Sequence, residues 1–127
     1  MFNKLKIYTS LFFLVPMFLA LYFKIYLMAI LLLTVTIFSI IFHIFDEKKL
    51  KIIDPIFAYI LIASNLYLCF LFRFNLIYFL PAPLFVLLAL ICLVKEKKNY
   101  ELYHSLWHIF SGIITIFCIL GYISKFI

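Results

Sequence analysis

The chain holds three histidines, His43, His104 and His108, and their spacing is the first chemical signal in it. His104 and His108 stand four apart. On a helix that separation puts both imidazoles on one face, ~6 Å apart along the axis. Paired histidines at this spacing recur in zinc sites. A third imidazole from another segment, His43, completes a three-histidine set that leaves a fourth position for water, as catalytic zinc centres do. Two further residues sit within reach in the sequence. Ser39 lies one helical turn before His43, and Asp54 follows it by eleven positions.

These residues must be positioned by apolar elements. Of 127 residues, 69% are hydrophobic and 13% charged. A soluble domain is nearer ~45–50% apolar and ~25% charged, so there is too little polar surface here to coat a globule. Two glycines argue against a turn-rich β protein. Long unbroken apolar runs point to helices, which satisfy their own backbone hydrogen bonds in lipid. The expected class is therefore all-α, a polytopic transmembrane bundle in a single domain over residues 1–127.

A bilayer core needs ~20 helical residues. The run from Leu5 to Phe45 is twice that length and breaks at Lys24; the run from Ile52 to Val94 is again double and breaks at Arg73 and Asn75. The expected helices are at about 5–23, 25–45, 53–72, 76–94 and 101–124. The N-terminal run, which follows Lys4 and Lys6 and lacks a small-x-small cleavage motif, reads as an uncleaved first helix. Five alternating spans put Lys4, Lys6, Lys48, Lys49, Lys51, Lys95, Lys97 and Lys98 on one face, against Lys24, Arg73 and Lys125 on the other. That bias predicts an integral, multi-pass protein with the N-terminus cytoplasmic and the C-terminus outside. All five acids and all three histidines fall on the lysine-rich face.

The net charge of +6 is accounted for by topology and anionic headgroups. No basic segment interleaved with aromatics suggests nucleic acid. The expected partners are the bilayer and a membrane lipid, with homo-oligomerisation left open. Within the helices, Thr36, Ser39 and His43 share one stripe. Asp54, Ala58 and Asn65 share another, and His104, His108, Ser111, Gly112 and Thr115 a third. Polar groups avoid lipid, so these stripes should face the bundle interior.

Each residue also has a plainer role to play. Asp54 before Pro55 suits a helix N-cap followed by proline at N1. Ser39 suits a hydroxyl bonded back to the Val35 carbonyl. Trp107, with Tyr100 and Tyr103, suits an interfacial aromatic belt, and Asn65 suits interhelical glue. Cys69, Cys92 and Cys118 suit small buried hydrophobes. Pro16, Pro81 and Pro83 should kink or unwind their helices.

The ordered set Ser39-x3-His43, Asp54 and His104-x3-His108, with Trp107 between the last two histidines, resembles the CREST superfamily. That group includes alkaline ceramidases, progestin and adiponectin receptors, haemolysin III-like and myomaker-related proteins. The string YHSLWHIFSG from Tyr103 to Gly112 is most similar to the myomaker-related and receptor branches. The resemblance implies Zn2+ held by His43, His104 and His108, with Asp54 and Ser39 beside a metal-bound water as catalytic groups. It also implies amide-linked lipids such as ceramide as substrates of the hydrolytic members. The expectation is a zinc-dependent hydrolase of an amide- or ester-linked lipid. The alternative is a non-enzymatic scaffold or a metal-binding, receptor-like bundle. A transporter is the weakest option, because five spans with no second half offer little pathway without oligomerisation. The family usually has seven spans. Here two helices are missing between the Asp54 helix and the last one, which keeps the parity of the site but removes part of a cavity wall.

Overall fold

The computed structural model describes residues 7–45, 50–71 and 80–126, with the side chains of 45, 50–55, 82, 100, 101 and 126 left aside. All described residues fall in helices or short turns, and none in a strand. Five helices follow one another: α1 over Ile7–Tyr22, α2 over Tyr26–Phe45, α3 over Leu50–Leu71, α4 over Pro81–Lys95 and α5 over Tyr100–Phe126. Two apolar stretches, Tyr26–Ile44 and Leu102–Lys125, are long and apolar enough to cross a membrane. Those at Ile7–Tyr22, Ile56–Leu71 and Pro83–Lys95 are shorter among the described residues.

The break between α1 and α2 falls at Lys24, as the charge inside the apolar run predicts. Its geometry is a helix stop built without glycine. The Ile25 N–H donates to the Ala20 carbonyl at 2.8 Å and the Lys24 N–H to Leu21 at 3.1 Å. This is the Schellman arrangement, which needs a left-handed residue, and Lys24 takes it at φ 63°. Ala20 and Ile25 then pack into the core.

One boundary differs from the sequence expectation. Helix α3 already begins at Leu50, so Asp54 and Pro55 sit inside it and not at the cap and N1 positions. Apolar Ile52 and Ile53 carry the helix upstream of the proline, whose missing N–H costs one early backbone bond. Described helix α4 opens on Pro81 at its N-terminus, where a proline costs no helical hydrogen bond; residues 76–79 of the expected helix lie outside the described residues. The expected break at Arg73 and Asn75 lies outside the described residues. Pro16 sits within α1, just beyond a tight 3-10 turn at Leu11–Phe13.

Helix α5 is the hub, packing on α1, α3 and α4, while α2 packs on α1 and α3. The order around the core is thus α1, α2, α3, α5, with α4 on the outside of α5. Two features fix the antiparallel sense. At one end, the short turn Glu96–Asn99 joins α4 to α5, with Asn99 Oδ1 accepting the Leu102 N–H at 3.3 Å as an N-cap. At the other end, Lys125 Nζ donates to the Leu71 carbonyl at 2.9 Å, closing a terminal carbonyl of α3 with the end of α5. Gly112 allows α1 to lie close against α5, because a Cβ there would meet the Phe12 ring at 2.5 Å.

The interior is sorted by stripe as expected. Thr36, Ser39, His43, Asn65, His104, His108 and Thr115 are all buried. Residues turned outward include Tyr22, Leu27, Tyr59, Phe70 and Val94.

Candidate metal centre

The C-terminal turn of α2 carries His43 to the level at which α5 begins with His104 and His108. The three side chains converge. Their ring centroids lie 5.1 Å apart for His43 and His104, 5.4 Å for His43 and His108, and 4.6 Å for His104 and His108. One ring nitrogen from each falls within 4.8 Å of the others. The residues are only 2%, 8% and 4% exposed, respectively. Neutral rings present lone pairs, the form in which histidine binds a metal.

The donor set fits a divalent metal ion. Zinc–nitrogen bonds of about 2.0–2.1 Å in a tetrahedron put nitrogens about 3.3 Å apart. From a separation within 4.8 Å, the rings need to draw in by roughly 1 Å each, within ordinary side-chain adjustment. The surroundings of the rings point the same way. Glu96 Oε1 lies 3.0 Å from His104 Nδ1. An ionised carboxylate only accepts, so Nδ1 carries the proton and Nε2 keeps its lone pair for a metal. His108 Nδ1 contacts the hydroxyls of Thr9 at 3.1 Å and Ser10 at 3.3 Å, which hold its ring in place. Phe13 sets the edge of its ring against His108, with centroids 5.8 Å apart, and walls the site on the α1 side.

Ser39 does join this cluster. Its Oγ lies 2.7 Å from Ser10 Oγ. The expected bond back to the Val35 carbonyl is replaced by a link across helices, because Ser10 of α1 offers a buried partner at the same depth. A chain of hydroxyls therefore runs from Ser39 through Ser10 to His108. The backbone of Asp54 stands near the start of α3, at the histidine end, but its side chain lies outside the described residues.

Below the histidines lies a cavity of about 540 Å³, within the range of small-molecule sites. Its walls come from all five helices, chiefly α3, α4 and α5, and are mostly apolar. Ser39 and His108 reach it at one end, Cys69, Pro83 and Cys118 at the other. Helix α4 contributes Pro83, Val86, Ala89 and Leu90 to its wall. Trp107 lines this cavity beside His108, a placement that the aromatic-belt reading did not foresee. Asn65 links α3 to α5, as interhelical glue should, with Nδ2 donating to Thr115 Oγ1 at 3.0 Å. Cys69 and Cys118 are buried and meet with their sulfurs 3.5 Å apart.

Glu96, Thr9 and Ser10 are the site residues that sequence reasoning did not single out. A signal existed for each. Glu96 is the acid nearest the His pair across a short turn, and Thr9 and Ser10 are a polar pair in an apolar first helix. No family model matches the chain, and no curated protein or solved structure matches it either.

Proposed function

We propose that this chain is a zinc-dependent intramembrane hydrolase that cleaves an amide- or ester-linked lipid. The observation that carries it is the convergence of His43, His104 and His108, buried and held by Glu96, Thr9 and Ser10, at the head of an apolar cavity. In this reading the five helices are five spans, with the N-terminus cytoplasmic and the C-terminus outside. The polarity of the molecule supports that arrangement. Large apolar side chains face outward along every helix while hydroxyls, imidazoles and the Asn65 amide are turned in, as a lipid solvent demands. The lysine bias between the two ends supports the orientation.

When bound, zinc supplies Lewis acidity, polarising a carbonyl and lowering the pKa of water toward ~7. The chain's own residues do the rest. His104 and His108 are held in place by the partners of their Nδ1 atoms, Glu96 for the first and Thr9 and Ser10 for the second. Asp54, on the resemblance to CREST proteins, accepts a proton from water on its carboxylate and delivers it to the leaving nitrogen or oxygen. Ser39, on the cavity wall, donates a hydrogen bond toward the reacting oxygens and is itself steadied by Ser10. The apolar cavity holds the chain of the lipid and excludes water from it.

The test is hydrolysis of N-acyl and O-acyl lipids by detergent-purified, zinc-loaded protein, wild type beside Asp54→Ala. Fatty-acid release that falls about 10²–10⁴-fold in the variant, with zinc retained, is the expected result for a lost general base. Zinc retained by both proteins with no release by either would instead favour a receptor-like metal-binding bundle. Wild-type protein that holds no zinc would favour a scaffold.

A further inference from the structure

The chemistry described so far uses one end of the cavity. The deep end holds two thiols. Cys69 of α3 and Cys118 of α5 stand 49 positions apart in the chain, and their Sγ atoms meet at 3.5 Å. Both are free, buried and among the residues that line the cavity. Their contact follows from the register of the two helices, which hydrogen bonds fix on either side of it. Before the thiols, Asn65 Nδ2 donates to Thr115 Oγ1 at 3.0 Å. Beyond them, Lys125 Nζ donates to the Leu71 carbonyl at 2.9 Å. From Asn65 to Cys69 on α3, and from Thr115 to Cys118 on α5, is about one helical turn each. The two helices therefore run parallel here and carry the sulfurs down to the same level.

A disulfide sets its sulfurs about 2.05 Å apart. From 3.5 Å the pair closes by about 1.5 Å in all, a displacement that rotation about each Cα–Cβ bond supplies. The cavity gives a route to the thiols. Leu66 of α3 and Val86 and Leu90 of α4 line it and are also exposed, so they form a side opening. Cys69 lies one turn along α3 from Leu66, on the same face, and retains 5% exposure. Only one thiol has to be reached, because the second already touches the first. The apolar walls admit an uncharged oxidant, whereas a charged one would have to shed its water.

We propose that Cys69 and Cys118 are a modification site, a thiol pair that a lipid-soluble, low-molecular-weight disulfide oxidises to a bond between α3 and α5. The thiolate of one cysteine attacks a sulfur of the small disulfide, forming a mixed disulfide and expelling one thiol. The thiolate of the other cysteine attacks the protein sulfur of that mixed disulfide and expels the second thiol. Two protein S–H groups become one S–S bond, and the small disulfide takes up their two electrons and two protons. The bond closes a loop of 49 chain positions, which restrains the unfolded chain. It also keeps α3 and α5 from separating at the deep end of the cavity. The inference stands apart from the hydrolase reading, because neither thiol belongs to the metal set.

The experiment treats reduced, full-length Cys92→Ala protein in detergent with dithiodipyridine, an uncharged aromatic disulfide. Oxidation of the pair releases two thiopyridones for each probe consumed. It leaves a protein lighter by two hydrogens, with the Cys69 and Cys118 peptides joined. Labelling of each thiol separately releases one thiopyridone per probe and leaves half of the probe on the protein. The oxidised protein should also melt about 5–15 °C above the reduced one, a gain that dithiothreitol removes. With Cys118→Ala added, release should drop to one per probe, the adduct should persist and the gain should vanish. Separate adducts on the two thiols, a bond between two chains, or thiols that react only after denaturation overturn the inference. Peptide mapping of the oxidised wild-type chain keeps the test decisive should the variants fail to fold. A Cys69–Cys118 bond is expected there, and a bond to Cys92 in its place overturns the proposal.

Discussion

The two ends of the bundle solve the same problem differently. At the histidine end, polar side chains from α1, α2, α5 and the α4–α5 turn are buried together and satisfy one another across helices: Glu96 with His104, Thr9 and Ser10 with His108, Ser10 with Ser39. At the far end, single contacts that close helix ends suffice. Lys24 closes α1 through a left-handed turn, and Lys125 covers the Leu71 carbonyl. The stop at Lys24 needs only its own neighbours. A cluster of buried imidazoles needs residues far apart in sequence, and such clustering is costly unless it holds something. The difference sets a candidate metal centre at one end and plain architecture at the other.

The contrast breaks first, if it breaks at all, at the histidines. His104→Ala should reduce zinc from about one ion per chain to background, measured by elemental analysis on detergent-purified protein, because two imidazoles remain where three are needed. Equal metal in wild type and variant would make the cluster structural. Next comes Glu96→Gln. Gln still bonds His104 Nδ1 but without charge, and outer partners of metal-ligating histidines are worth about 10–100-fold in affinity. A titration against a competing chelator should show a loss of that order; an unchanged affinity would remove Glu96 from the site.

Smaller effects sharpen the comparison. In Gly112→Ala the added methyl meets the Phe12 ring. The helix gains about 1 kcal/mol of propensity, but overpacking typically costs about 1–3 kcal/mol. A net destabilisation of roughly 1 kcal/mol is expected in a thermal melt, with weaker zinc binding as α1 draws Thr9 and Ser10 away from His108. Phe12→Leu should restore part of both. The least effect belongs to the far end. Lys24→Gly relieves a left-handed non-glycine residue and should stabilise the protein by about 0.5–1 kcal/mol, leaving zinc affinity untouched. A change in metal binding there would mean that the ends are not separate.

Much of this was legible in the residues. Lys24 marked the α1–α2 break because a charge inside an apolar run has few places to be. The i, i+4 register placed His104 and His108 on one face, and the alternation of helices brought His43 to the same end. Periodicity gives the face of a helix but not which neighbour it meets. So it could not show that Ser39 turns to Ser10, that Cys69 meets Cys118, or that α4 walls the cavity. Asp54 illustrates a different limit. Its pairing with Pro55 reads as a helix start, yet the apolar residues before it extend α3 back to Leu50. Local cap signals lose to an upstream segment that can continue the helix.

The partners of His108 lie almost a hundred positions away, at Thr9 and Ser10. This has a consequence for biogenesis. A chain still on the ribosome holds a single histidine, His43, until His104 is added. Neither the metal set nor its hydroxyl partners can assemble before the last helix is inserted. A chain that stops short of His104 holds one of the three imidazoles, so a metal ion held by all three would report that α5 has been made.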